Sequence, residues 1–389
     1  MLFMNPFIYL DNSATTQVDP QIVDIIRQEL TSPPGNASSW HSLGQVAKKK
    51  LLRSKEFIAK WLGAASPKEI IFTSGGTEGL NMLILGIANS LVPGEIISTA
   101  IEHPAVQKPL ACLAKRDWKV TTLPVDEYGA MQPSQLKKAI TPKTKIVILS
   151  AVNHETGVQI DVESMASICE SYQIPFILDG VALLGKSPIQ LYKGITAIAF
   201  SGHKIHALPG VGFVYLKSAQ DITPLLHGGA QENGLRSGTE NLLGILGLAK
   251  AIEILSTHET TICRYLLHLR NVFEERVLSQ IPDVFINGTG PRIPNISNLY
   301  IKGVDAEEIV IQLDSRKIIA SMGSACSSGN FEPSQVLINM GYSQRRASQS
   351  IRFSFSRFNS EEEVVYSAKI LCEIVSSLRS QKCYSNSTD

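Results

Sequence analysis

Seven short apolar runs punctuate the chain between residues 69 and 217, and stretches with helical spacing separate them. The first is Glu69-Ile-Ile-Phe-Thr73. The others are Gly94 to Ala100, Lys119 to Leu123, Lys145 to Ala151, Ile174 to Leu178, Ile195 to Phe200 and Gly210 to Leu216. Near-continuous apolar runs predict strands buried on both faces. Strands alternating with helices predict a parallel or mixed sheet covered on each side. The expected fold class is α/β, with a mostly parallel seven-stranded sheet in a large domain. After about Ala251 the pattern changes. A mixed-charge helix is expected over Thr257 to Val277, then the turn-rich Ile286-Asn-Gly-Thr-Gly-Pro291. Shorter elements and an amphipathic helix from Ser360 to Leu378 predict a smaller α+β domain, and the polar tail from Cys383 reads as frayed.

Composition narrows the function classes. A length of 389 residues fits two or three domains. Hydrophobic residues at 44% and charged residues at 18% exclude intrinsic disorder. Lys+Arg at 36 against Asp+Glu at 35 gives a net charge of +1, so no nucleic acid or acidic membrane is expected as partner. The six cysteines, at 112, 169, 263, 326, 372 and 383, are scattered and form no CxxC. That spacing speaks against a disulfide framework and a zinc ribbon, and no metal site is expected. The first residues carry no Lys or Arg ahead of their apolar stretch, and Leu80 to Val92 is too short to span a bilayer. A cytoplasmic protein is the expectation.

In an open α/β sheet, ligands bind beyond the carboxyl ends of the strands, so the residues just after each run matter most. Ser74-Gly75-Gly76-Thr77 lies between a strand and a helix, where backbone N–H groups suit a phosphate; the alternative is a tight turn with Thr77 as N-cap. Asp179 ends an apolar run and is either a helix cap or the partner of a ligand cation. Lys204 follows the next run and is either a solvated loop lysine or a Schiff-base amine. Together, these three supply what pyridoxal 5′-phosphate requires. Gly180-Val-Ala-Leu-Leu-Gly-Lys186-Ser187 matches the nucleotide phosphate-loop pattern. Pro188, an apolar interior and little room for a following helix argue against it. Cys326, in small and polar surroundings, is a candidate nucleophile or a plain loop residue. Cys112, Cys169, Cys263 and Cys372 fall in helical patterns and read as inert.

Further motifs extend this set. They are Tyr9-Leu-Asp-Asn-Ser-Ala-Thr-Thr16, Gly35-Asn-Ala-Ser-Ser-Trp-His41, Thr73-Ser-Gly-Gly-Thr-Glu78 and Glu102-His-Pro-Ala-Val106. Ser201-Gly-His-Lys204, Arg236-Ser-Gly-Thr-Glu-Asn241, Gly323-Ser-Ala-Cys-Ser-Ser328 and Ser350-Ile-Arg-Phe-Ser354 complete it. In this order the chain resembles, nearly end to end, the class V, fold-type I pyridoxal-phosphate transferases. Within them it is most similar to the cysteine desulfurases of the bacterial iron–sulfur and nitrogen-fixation type. The resemblance implies a large cofactor domain at 14–256, and a small domain at 1–13 and 257–389 carrying the catalytic cysteine loop.

It also implies roles. Lys204 holds the cofactor aldehyde, Asp179 the pyridine nitrogen, and His103 stacks on the ring as an acid/base group. Gly76, Thr77, Ser201 and His203 hold the phosphate, and Thr239 reaches it from the other subunit of a homodimer. Arg352 clamps the carboxylate of L-cysteine, with Asn36 joining it; the other reading of Arg352 is a structural ion pair. The Cys326 thiolate takes the substrate sulfur as a persulfide, alanine leaves, and a sulfur-acceptor or scaffold protein collects the sulfur. Two positions depart from the family. His154 stands where a second asparagine is usual, and Ala182 where a glutamine is. Both groups normally touch the phenolate-oxygen side of the ring, so an altered pKa of the lysine–cofactor imine is expected. The tail also looks shorter than in members that dock a scaffold there. Other readings are a selenocysteine lyase or another class V enzyme, a non-catalytic descendant given Ala182 and His154, and a nucleotide hydrolase using Lys186.

Overall fold

The computed structural model describes residues 7–219, 222–323 and 332–385. Its strands are β1 (Ile8–Tyr9), β2 (Ile70–Thr73), β3 (Glu95–Thr99), β4 (Lys119–Leu123), β5 (Thr144–Ser150) and β6 (Phe176–Asp179). Then come β7 (Ile195–Ser201), β8 (Gly212–Leu216), β9 (Val284–Ile286), β10 (Ile296–Ile301), β11 (Ile318–Ile319) and β12 (Ser350–Ser354).

All seven apolar runs become strands of one sheet, ordered β2-β8-β7-β6-β5-β3-β4. Strands β4, β3, β5, β6 and β7 pair in parallel, while β8 runs antiparallel to both β7 and β2. Strand β2 therefore points the same way as β7, and six carboxyl ends share one edge of the sheet. Burial explains the near-continuous apolar runs of the central strands. In β5, Ile146 and Ile148 pack in one cluster with Leu80, Leu83 and Ile84 of the helix Gly76–Asn89. Val147 and Leu149 pack in another with Leu248 and Ile252 of the helix Leu242–Gln280. Each fully buried side chain of this kind contributes roughly 1.5–3 kcal/mol.

The C-terminal part holds a three-stranded antiparallel sheet, β12-β10-β9, and the parallel pair β1–β11. The helix expected to begin near Thr257 begins at Leu242 and runs 39 residues, capped by the Asn241 side chain accepting from Gly244 N–H (3.1 Å). The boundary at 256/257 thus falls inside one continuous helix. The core is continuous across it: Leu255 shares a cluster with Phe273, Phe353 and Leu371. The last helix, Glu361–Ser385, starts where expected and outlasts the predicted fraying point. Cys112, Cys169, Cys263 and Cys372 are free thiols within helices. Among the described residues no helix is long and apolar enough to cross a membrane, and no cluster of metal-ligating side chains occurs.

Candidate active site

A cavity of about 220 Å³ opens at the carboxyl edge of the sheet. Its walls come from the residues that follow β2, β3, β5, β6 and β7, with β12 and the segment after β1 closing the far side. Each of these strands delivers one chemical group.

After β2 the chain turns into the helix Gly76–Asn89. Gly75 lies at φ +153 and ψ −173, a backbone region open only to glycine. Gly75 is also the N-cap and makes no side-chain cap bond, so Thr77 is not the cap and stays exposed on the cavity wall. A Cβ on Gly76 would meet Val181 Cγ2 at 2.5 Å and Ser201 Cβ at 3.6 Å. The helix start, Thr77, Ser201 and His203 therefore form a close-fitting cup of N–H, hydroxyl and imidazole groups, the environment an anion needs. His203 Nδ1 lies 3.1 Å from Thr15 Oγ1, and burial, then the Lys204 charge, pushes its pKa down to about 4.

Beside the cup stand Asp179 and Lys204. Asp179 ends β6, buried, and its Oδ1 accepts from Val181 N–H (2.9 Å). Burial raises its pKa to about 6 against the opposing pull of that N–H and of Lys204. Lys204 closes the turn Gly202–Lys204 after β7, and its Nζ donates to the carbonyls of Ser13 and Ala14, the latter at 3.0 Å. His103 caps the helix Pro104–Leu113. Its Nδ1 accepts from Ala105 N–H (3.0 Å), so Nε2 carries the proton of the neutral ring. Burial, then the Lys204 charge, lowers its pKa to about 4.

The far end is lined by His154 and Arg352. Burial, then the charges of His103, Arg352 and Lys204, holds the His154 ring well below its usual pKa. Its Nε2 is buried, has no hydrogen-bond partner among the described residues, and lies 3.8 Å from Glu155 Oε1. Arg352 is 2% exposed. It donates from Nη2 to Asp11 Oδ1 (2.8 Å) and from Nη1 to the His154 carbonyl (3.0 Å). The ion pair foreseen as one reading of Arg352 is present, and the guanidinium also faces the cavity.

The cavity brings together Gly76, Thr77, His103, His154, Asp179, Ser201, His203, Lys204 and Arg352. It does not include two others. Thr239 lines a separate hollow of about 90 Å³, next to Ser74 and Arg236. Asn36 is exposed, its Oδ1 accepting from Ser38 N–H (2.9 Å). Cys326 lies outside the described residues. The segment 180–187 forms successive turns with Leu183 and Leu184 buried, unlike a nucleotide cradle. Its Lys186 is buried against the cavity, donates to the Lys204 carbonyl (3.4 Å), and is lowered to about pKa 8 by burial and then by Arg357. The sequence reading missed Lys186 as a cavity residue, and it missed Glu102, buried directly before His103. The strand-end position of Glu102 was the one available signal.

Comparison with known proteins agrees with this geometry. The Aminotransferase class-V family profile matches residues 8–366. The chain belongs to the class-V aminotransferase family. Within that family, a cysteine desulfurase of Trichormus azollae is 38% identical over 97% of this chain and 95% of its own length. A solved NifS-like protein superposes with a TM-score of 0.88 at 32% identity, covering 95% of this chain and 99% of that one. A second, SspA in complex with cysteine, gives a TM-score of 0.81 at 27% identity over 91% and 100% of the two chains. This class-V chain therefore has the family's α/β fold and sits beside its cysteine desulfurases, enzymes of a pyridoxal-phosphate-dependent family.

Proposed function

We propose that this chain is a cysteine desulfurase that uses pyridoxal 5′-phosphate to convert L-cysteine to L-alanine. Its sulfur would pass to Cys326 as a persulfide and on to an acceptor or scaffold protein for iron–sulfur cluster or other sulfur-cofactor assembly. One observation carries the reading: Lys204 and Asp179 face one cavity from neighbouring strand ends, beside a cup that only glycine leaves open. An amine, a carboxylate and an anion cup are the three groups that the cofactor's aldehyde, ring nitrogen and phosphate need.

Gly76, Thr77, Ser201 and His203 would hold the phosphate, Asp179 the ring nitrogen and Lys204 the aldehyde. When bound, the cofactor supplies an electron sink that acidifies the amino acid's Cα–H and weakens its Cβ–S bond. The chain's own residues do the rest. Lys204 Nζ, steered by the Ser13 and Ala14 carbonyls, is placed to hold the Cα proton. Asp179 keeps its negative charge above about pH 6. Neutral His103 has a proton to give on Nε2. Arg352 binds the substrate carboxylate with its planar fork. Cys326 provides the thiolate; its sulfur bonds to the substrate sulfur as the Cβ–S bond breaks, and Cβ takes a proton to become the alanine methyl.

The reading includes a homodimer in which Thr239 completes the partner's phosphate cup and Asn36 assists Arg352. It includes a cytoplasmic setting, consistent with the free thiols at 112, 169, 263 and 372. It keeps residues 14–256 as the cofactor-binding part and 1–13 with 257–389 as the part carrying Cys326. The test is L-cysteine turnover with alanine quantified and the protein weighed intact. The parent chain gains one sulfur atom on Cys326. Cys326→Ser keeps the bound cofactor's colour and gains none; a sulfur gain in that variant contradicts the reading.

A further inference from the structure

Glu155 is 1% exposed and directly follows His154 of the cavity wall. Its backbone is held on both sides. Its N–H donates to Asn153 Oδ1 (3.0 Å), and its carbonyl accepts from Asn298 Nδ2 of β10 (3.1 Å). Its carboxylate meets two stretches far along the chain. Oε2 accepts from the Ser334 hydroxyl (2.5 Å), and a Cβ on Gly323 would come within 3.2 Å of the same oxygen. Gly323, at φ +55, also lies against Ser334: that Cβ would stand 3.2 Å from Ser334 Cβ. Gly323 precedes Cys326 by three residues and Ser334 follows it by eight. The stretch leading in is tied to the cavity as well. Ser321 N–H donates to the Arg352 carbonyl (3.1 Å), and Arg352 N–H to the Ser321 carbonyl (2.7 Å). On the stretch leading out, Ser334 Oγ accepts from Leu337 N–H (3.1 Å) as the cap of the helix Gln335–Asn339, so the Ser334 hydroxyl serves helix and carboxylate together.

We propose that Glu155 is a positioning residue for sulfur transfer: its buried carboxylate clasps both ends of the segment that carries Cys326 and sets them beside His154 and Arg352. Ends joined at one point leave the chain between them a smaller volume to explore, and the entropy of bringing them together is lost on folding rather than in each turnover. A buried carboxylate suits this task, because its bond to a hydroxyl strengthens where water is excluded. The Asn153 and Asn298 bonds fix Glu155 from its own side, so the clasp holds the segment rather than following it. Gly323 is needed at the point of closest approach, since its left-handed φ and the nearby oxygen both disfavour a side chain.

The inference rests on Cys326 being the sulfur acceptor, and its test separates the two. Cofactor-loaded protein is mixed with L-cysteine, and sulfur gain on Cys326 is followed through a single turnover by intact mass. Glu155→Ala and Ser334→Asp should slow that gain at least about tenfold, while cofactor affinity and the L-cysteine concentration at half-maximal rate stay parental. Ser334→Asp keeps a cap acceptor for Leu337 but sets a second carboxyl group against Glu155 in place of the hydroxyl donor. Being at a partly exposed position, it serves also if Glu155→Ala fails to fold. Ser334→Thr keeps the donor and the parental rate. Hydrogen exchange of the apo protein reads the clasp without activity. In Glu155→Ala and Ser334→Asp the amides of residues 319–323 and 334–340 should exchange at least about tenfold faster, with those of β5 and β6 unchanged. Parental exchange at either end, or a parental rate of sulfur gain in both variants, overturns the proposal. An equal loss of cofactor affinity, as a merely structural role gives, overturns it too. A parent chain that loads cofactor yet gains no sulfur overturns the desulfurase reading instead, and the exchange result still decides on the clasp.

Discussion

The imidazole rings of His103 and His154 meet edge to face, with centroids 5.1 Å apart and planes at 79°. Both are held neutral by burial and by cationic neighbours, so the contact is between two uncharged rings. An imidazole of ordinary basicity would charge here, and two imidazolium ions at this distance would repel. His154, held neutral near neutral pH, adds no charge of its own to the cavity.

That neutrality has a measurable consequence. Unfolding releases His154 to its ordinary pKa of 6.5, so below that value the unfolded chain binds an extra proton and the native state loses stability. His154→Asn removes this liability. Relative to the parent, the apo variant should gain about 2 kcal/mol between about pH 8 and about pH 5 in denaturant unfolding. Raised carboxyls such as Asp179 shift the opposite way, favouring the native state as pH falls, but they are common to both proteins and cancel in the comparison. A variant-minus-parent difference that is flat with pH shows that His154 is not held neutral.

The glycine cup and the carboxylate site are mechanically joined. A Cβ on Gly76 would strike Val181 Cγ2 at 2.5 Å, and the Val181 N–H holds Asp179 Oδ1. Gly76→Ala should destabilise the apo protein by about 1–3 kcal/mol through overpacking. It should also weaken pyridoxal 5′-phosphate binding at least about tenfold, a loss of about 1.4 kcal/mol. Val181→Ala added to it should recover most of both losses. Equilibrium unfolding and cofactor titration of the two single variants and the double variant check this; additive losses show that the two sites are independent.

The sequence made the sheet legible because β5, β6 and β7 are buried on both faces and cannot hide a polar residue mid-strand. The strand-end rule then led directly to Asp179 and Lys204. The start of the helix Leu242–Gln280 was not legible. Leu242-Leu-Gly-Ile-Leu-Gly-Leu248 has no polar face and two glycines, because Gly244, Gly247 and Leu248 are all buried there and Gly247 packs near Ile22. Glu102 was missed for another reason: its partners, Thr99 and Ser150, lie on different strands that only the fold brings together. The same holds for the Ser13 and Ala14 carbonyls that hold Lys204, roughly half the chain away. Pro188 and the apolar interior of 180–187 already argued against a phosphate loop at Lys186, but only the folded turn shows that lysine packed against the cavity.

The central claim is that Lys204 is the amine that binds the cofactor, although Lys186 borders the same cavity and has the depressed basicity of a reactive amine. Reduction of the cofactor-loaded chain with borohydride, followed by proteolysis and peptide mass mapping, decides between them. A single pyridoxyl-modified peptide bearing Lys204 is expected, and none from Lys204→Ala. Modification of Lys186 in the parent chain, or of no lysine at all, contradicts it.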